Sequence, residues 1–265
     1  MGDPTKSGIR YHIAFVILAF FFVGTVVPII LYQQEWYKDW LRGLPFDVRI
    51  LVHPAMRMVF AFVGWLVVCR MVQDRERIRM GLLMPPMQAI KAFALGFACS
   101  LAMFAFGVFA EPNEIHYTLV YSSLLPGVTE EIFYRAFAFG LLIQAARMNL
   151  WAAAFTTAIV FGLAHLVRSD VRAMPIGEMI GWLAMLSAGG LFFAWIYARA
   201  PWNLWVVIAL HAGMNLWWDI FFNHETPPFN GLVTTIARII PVGIAVYLVI
   251  FRGVLRESSA TTIKA

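Results

Sequence analysis

Glu130-Glu131-Ile132-Phe133-Tyr134-Arg135 sets three ionisable residues at the head of one of the most apolar regions of the chain. Whether that region crosses a membrane decides the fold. A charge at the centre of a membrane helix costs about 2.5–3.5 kcal/mol on insertion scales, so ionisable residues kept there are functional suspects by default. Around this stretch, 61% of the 265 residues are hydrophobic and 13% are charged, against roughly 25% charged in soluble proteins. The mean hydropathy is +0.75. Such a composition excludes an ordinary soluble domain and implies a polytopic membrane protein. The net charge is +5. Its basic residues sit in short connections between apolar runs, where lipid headgroups and topology explain them better than nucleic acid does. Cys69 and Cys99 both lie in apolar runs and give no disulfide framework.

At about 20 apolar residues per span, the chain reads as an all-α bundle of about eight transmembrane helices. They fall near 11–31, 54–72, 88–110, 116–146, 150–167, 176–198, 202–222 and 231–251. The run at 12–31 is too long for a signal-peptide core and ends without a small-residue cleavage site, so it is read as a retained first span. Trp36 and Trp40 in the next connection suit an interfacial belt. Pro126-Gly127 interrupts the fourth region. Either one long helix kinks there, or a re-entrant piece ends and a helix starts at Val128, with Thr129 as N-cap before the glutamates. Gly189-Gly190 allows close packing of the sixth span. With no repeat, low-complexity tract or linker, residues 1–265 read as one domain.

The loops carry Lys and Arg unevenly. Lys6, Arg10, Arg75, Arg77, Arg79, Arg147, Arg199, Arg252, Arg256 and Lys264 fall on one side, and Lys38, Arg42, Arg49, Arg168 and Arg172 on the other. The positive-inside rule then predicts both termini in the cytoplasm, a multi-pass protein of the cell's inner membrane, and external connections at 111–116 and 223–230.

Glu131 and Arg135, four apart in the favourable order, are expected to neutralise one another. Glu130 points about 100° away and is the freer carboxylate. His165 lies in Phe161-Gly162-Leu163-Ala164-His165 near the end of the fifth span, with Phe161 one turn earlier as packing. His211 and Asn215 share a face of the seventh span, and Asp219 extends the stripe towards the external rim. Two polar groups on one stripe of a membrane helix must find partners inside the bundle. His12, His53, His116, His224 and Glu178 read as interfacial or solvated.

Together, a carboxylate and an imidazole bind and deprotonate water, while a second imidazole and an amide donate to a developing oxyanion. These are the parts for hydrolysing an amide within a membrane. Glu130, His165 and His211 equally supply three ligands to a catalytic zinc. A polar stripe of this kind also suits a transporter or a membrane scaffold that binds a ligand or proton.

Glu-Glu-x-x-x-Arg, Phe-x-x-x-His and His-x-x-x-Asn, in that order on successive spans, resemble the CPBP intramembrane proteases, which include type II CAAX prenyl endopeptidases and bacteriocin-processing and abortive-infection-type proteins. The resemblance covers about 117–222 of this chain. It implies an endopeptidase of glutamic, metal-independent type, with Glu130 as catalytic glutamate and His165 as its partner in activating water. His211 and Asn215 would form the oxyanion site, and Glu131 and Arg135 a supporting ion pair. The substrate would be a membrane-anchored protein or peptide in the lipid bilayer. Tyr134 and Ala136 stand where the family has Phe and Gly, so the resemblance does not carry over a substrate class. The loop charges place the ends of the spans nearest Glu130 and His165 outside, which fits an anchored or exported peptide better than a prenylated cytosolic protein. An inactive relative acting as chaperone or immunity factor is the remaining alternative.

Overall fold

The computed structural model describes residues 4–72, 78–107, 118–221, 232–253 and 255. The expected external connections, with His116 and His224, lie outside the described residues, as do Arg75, Arg77, Arg256 and Lys264. Among the described residues there is no strand. The helices are α1 (Pro4–Tyr32), α2 (Glu35–Arg42), α3 (Phe46–Met71), α4 (Pro86–Gly107) and α5 (Thr118–Glu130), continued by a π-helical segment (Glu131–Phe139) into α6 (Gly140–Gln144). Then follow α7 (Leu150–Ala164), α8 (Ser169–Ala173), α9 (Ile176–Arg199), α10 (Leu204–Phe221) and α11 (Leu232–Val246).

Every expected span meets a helical segment, and the chain is an all-α polytopic membrane protein. Among the described residues, five helices are long and apolar enough to cross a membrane: Gly8–Tyr32, Phe46–Met71, Pro86–Ala105, Ile176–Arg199 and Leu204–Phe221. Leu150–Ala164 and Thr235–Phe251 are shorter apolar helices. The second span begins earlier than the hydropathy suggested, because Pro54 is carried inside α3. The polar connection ahead of it contains α2, which buries Tyr37 and Leu41 and exposes Trp36 and Trp40. Lys38 pairs with Glu35 at 2.7 Å and Arg42 with Asp39 at 2.6 Å. The Lys38 ammonium holds the exposed Glu35 carboxyl below its ordinary range. That division of tryptophans and ion pairs is what a helix at the headgroup level needs.

Contacts divide the chain into two compact units, Met1–Arg79 with Ile132–Ala194, and Met80–Glu131 with Trp195–Ala265. In the first, α1 packs on α3 and α7. The π segment brings in Phe133, Phe137 and Phe139, all fully buried. Gly24 of α1 and Gly64 of α3 make room for two of these rings: a Cβ on Gly24 would lie 2.9 Å from Phe133 Cζ, and one on Gly64 2.7 Å from Phe137 Cζ. Of the Gly189-Gly190 pair, only Gly190 packs closely, with 3.2 Å from its would-be Cβ to Ala158 Cα, while Gly189 meets nothing within 4 Å. In the second unit, α10 packs on α4, α5 and α11. Its apolar window is 61% buried, against 28% for that of α4, so α10 is the inner helix of its unit.

The packing predicts opposite outcomes for two glycines. Gly64→Ala forces a methyl into a buried ring and lowers stability in detergent micelles by about 1–3 kcal/mol. Gly189→Ala meets open space and gains helix propensity, so its thermal unfolding stays level or rises by up to about 1 kcal/mol.

Candidate functional site

The glutamate pair sits at the change from α- to π-helix. Glu130 closes α5 and Glu131 opens the π segment. Of the two arrangements expected at Pro126-Gly127, the structure has the continuous helix: α5 runs through both residues, and no helix starts at Val128. Thr129 is therefore no N-cap: its hydroxyl donates to the Leu125 carbonyl at 2.8 Å, one turn back within the same helix. From Glu131 onward the backbone bonds run i to i+5, so the 100° phase that relates residues of an α-helix no longer holds. The two carboxylates differ in exposure. Glu131 is completely buried, and Glu130 is half-buried.

Glu130, Glu131, His211, Asn215 and Asp219 belong to the second unit. Here the structure brings Glu131 and His211 together, with Nδ1 of the ring 2.7 Å from Oε1 of the carboxylate. With Glu131 ionised, the carboxylate accepts and Nδ1 carries the hydrogen, which leaves Nε2 as the other nitrogen of the His211 ring. Both side chains are buried. Burial of an ion or a polar group is tolerated only where a partner meets it, and each of these meets the other. The approach of the helices makes the contact possible. A Cβ on Gly127 would stand 2.7 Å from Ala212 Cβ, so α5 and α10 touch backbone to backbone just beside the pair. Gly213 likewise admits Ser100 of α4, whose Oγ would lie against any added Cβ. Asn215 is half-buried one turn further along α10. Asp219, another turn on, is buried and accepts from the Ser123 hydroxyl at 2.7 Å. Its partner Ser123 was not singled out in the sequence. The matching intervals, Ser123 to Glu131 and His211 to Asp219, are the signal that could have found it.

Arg135, Phe161 and His165 belong to the first unit. Arg135 is buried, with its guanidinium 4.7 Å from the centre of the Phe161 ring, 5.5 Å from Phe193 and 5.9 Å from Tyr134. This aromatic setting was not legible in the motif, which suggested only a carboxylate partner. Cation–π contacts of this kind stabilise by about 2 kcal/mol or more once desolvated. Phe161 also stands edge-on to Tyr134 and to His165, with centroids 5.0 Å away in each case. It is thus more than general packing. His165 ends α7, where the chain turns into a 3₁₀ turn, His165–Val167. Its Nδ1 lies 2.9 Å from the Phe161 carbonyl, an acceptor, so Nδ1 again carries the hydrogen and the neutral ring presents its lone pair at Nε2. Trp182 also stands edge-on to the ring at 5.5 Å.

Of the residues expected to be interfacial or solvated, His12 and Glu178 are exposed, whereas His53 is packed between Tyr32 and Tyr37. His12 bonds the Gly8 carbonyl on an exposed face, His53 stacks on Tyr37 at the α2–α3 junction, and Glu178 is exposed in the first turn of α9. Among the described residues no three His, Cys, Asp or Glu side chains gather to hold a metal ion.

Comparison with known proteins points the same way as the motifs. The family model for type II CAAX prenyl endopeptidase Rce1-like proteins matches residues 112–217. A protein of Bacillus subtilis (strain 168), described as "Putative membrane peptidase YdiL", is 26% identical over 195 residues, which is 65% of this chain and 74% of that protein. The matched region contains all three motifs, Glu130 to Arg135, Phe161 to His165 and His211 to Asn215. With these motifs in order on an all-helical membrane chain, the protein is similar to the CPBP family of membrane proteases over residues 112–217.

Proposed function

We propose that the chain is an intramembrane endopeptidase of glutamic type, which hydrolyses a peptide bond in a membrane-anchored protein or peptide. Glu130, the half-exposed carboxylate, and His165 bind a water molecule, and Glu130 takes its proton as oxygen attacks the substrate carbonyl. His211 Nε2 and the Asn215 amide donate to the oxyanion that forms. Because Nδ1 of His211 is engaged by Glu131, Nε2 donates when the ring carries both protons. The tetrahedral intermediate then collapses. The C–N bond breaks, Glu130 returns the proton to the leaving amine, and a new carboxylate and amine result. Glu131 and Arg135 support the site rather than react.

The observation that carries this reading is the division of labour between adjacent glutamates. Glu131 is buried and committed to an imidazole at 2.7 Å, whereas Glu130 beside it keeps access to the surface. A transporter or scaffold has no need of a second, positioned imidazole. The half-exposed carboxylate supports hydrolysis, and the loop charges support a site that opens outward, with both termini cytoplasmic in the inner membrane.

Four measurements test the proposal. In membrane proteomes of cells carrying the wild type or Glu130→Ala, the wild type yields peptide termini that the variant lacks. Identical termini in both would sink the protease mechanism. Removing an oxyanion donor by Asn215→Ala lowers turnover about 10²–10³-fold while the folded protein persists in membranes. Product release survives chelation on the metal-independent mechanism. If chelation abolishes it and zinc restores it, then Glu130, His165 and His211 are metal ligands instead. Reporter fusions in the connection at 111–116 give external activity, and cytoplasmic activity would reverse the orientation.

A further inference from the structure

Towards its end, α10 presents three consecutive side chains that each reach a different helix. Trp217 Nε1 donates to Ser100 Oγ of α4 at 3.0 Å. The Trp218 ring lies 3.6 Å from the guanidinium of Arg238 on α11. Asp219 accepts from Ser123 of α5 at 2.7 Å. Trp218, Asp219, Ser100 and Ser123 are buried. Successive residues of an α-helix point about 100° apart, so these partners surround the helix rather than line one side of it. Contacts along one side would let a helix roll, and contacts on three sides fix its roll.

Depth is fixed as well. Ser123–Asp219 and Glu131–His211 are two rungs between the same helices, running in opposite directions and separated by equal stretches of chain. The rungs lie about 12 Å apart along the axis at 1.5 Å per residue. Trp218 comes two turns after His211 on nearly the same side, and Asp219 one turn after Asn215. A shift of α10 by one residue would carry His211 off Glu131.

We infer that Trp217, Trp218 and Asp219, with Ser123 opposite, form a clamp setting the roll and depth of α10, and that they are positioning residues for His211 and Asn215. The inference rests on the hydrolytic roles proposed for those two residues. The test uses the full chain in lipid bilayers with isotope-labelled histidine, and His211 ring-nitrogen resonances identified by their loss in His211→Gln. Ser123→Ala and Asp219→Ala are each expected to displace the His211 resonances, and the exchanged pair S123D/D219S to return them. Should a single substitution at these positions prevent folding, Trp217→Phe keeps an aromatic side chain, removes the indole N–H that bonds Ser100, and is expected to displace the same resonances. Wild-type His211 resonances in the folded single variants would overturn the clamp, as would displaced resonances in the exchanged pair. If the Glu130→Ala proteome matched wild type, the protease mechanism would fail, but these resonances would still report the clamp.

Discussion

A buried carboxylate facing a buried imidazole constrains everything around it. Glu131 and His211 come from distant points in the sequence and meet at 2.7 Å with almost no exposure. Removing one member of such a pair costs about 3–5 kcal/mol because the other is left uncompensated. The chain must therefore bring α5 and α10 together at one depth and one roll. The small residues at the seam serve that requirement: Gly127 lies against Ala212, and Gly213 against Ser100. Within a bilayer, interhelical polar bonds contribute only about 0.6–2 kcal/mol. Close backbone approach and several such bonds are needed to hold a helix in register.

The π-helical segment follows from the same demand. Phe133, Phe137 and Phe139 are completely buried, as are Tyr134 and Arg135. A helix buried all round has no lipid face to spend on phase. Widened turns redistribute its side chains around the axis, and π segments recur at functional sites for this reason. In the first unit the result is an aromatic box in which Phe161 serves two neighbours, backing the Arg135 guanidinium and standing edge-on to His165. His165 is oriented further by the carbonyl one turn before it.

The broad architecture was legible because hydropathy alone demands it, and the three motifs were legible because their polar residues recur at helical spacing in apolar runs. Other features escaped for definable reasons. Pro126-Gly127 allowed either a continuous helix or a break, and nothing else in the sequence decides between them; α5 runs through, and Thr129 bonds backwards instead of capping. The π-helical phase of the segment that carries Glu131 and Arg135 leaves no mark in a hydropathy pattern. The Arg135 aromatic setting and the Ser123–Asp219 rung depend on tertiary contacts, which no local period encodes. The helix α2 was hidden by its polarity, since its ion pairs and tryptophans read as a loop in a hydropathy scan.

Water activation by Glu130 is the central claim, and its most direct measurement is the origin of the oxygen in the product. Purified protein in liposomes carrying membrane peptides, supplied with heavy-oxygen water, should place one labelled oxygen in each newly formed C-terminal carboxylate. Glu130→Ala should form none of these termini while holding the wild-type helical content. New termini formed at equal rates by Glu130→Ala, or no new termini with the wild-type protein, would contradict the account.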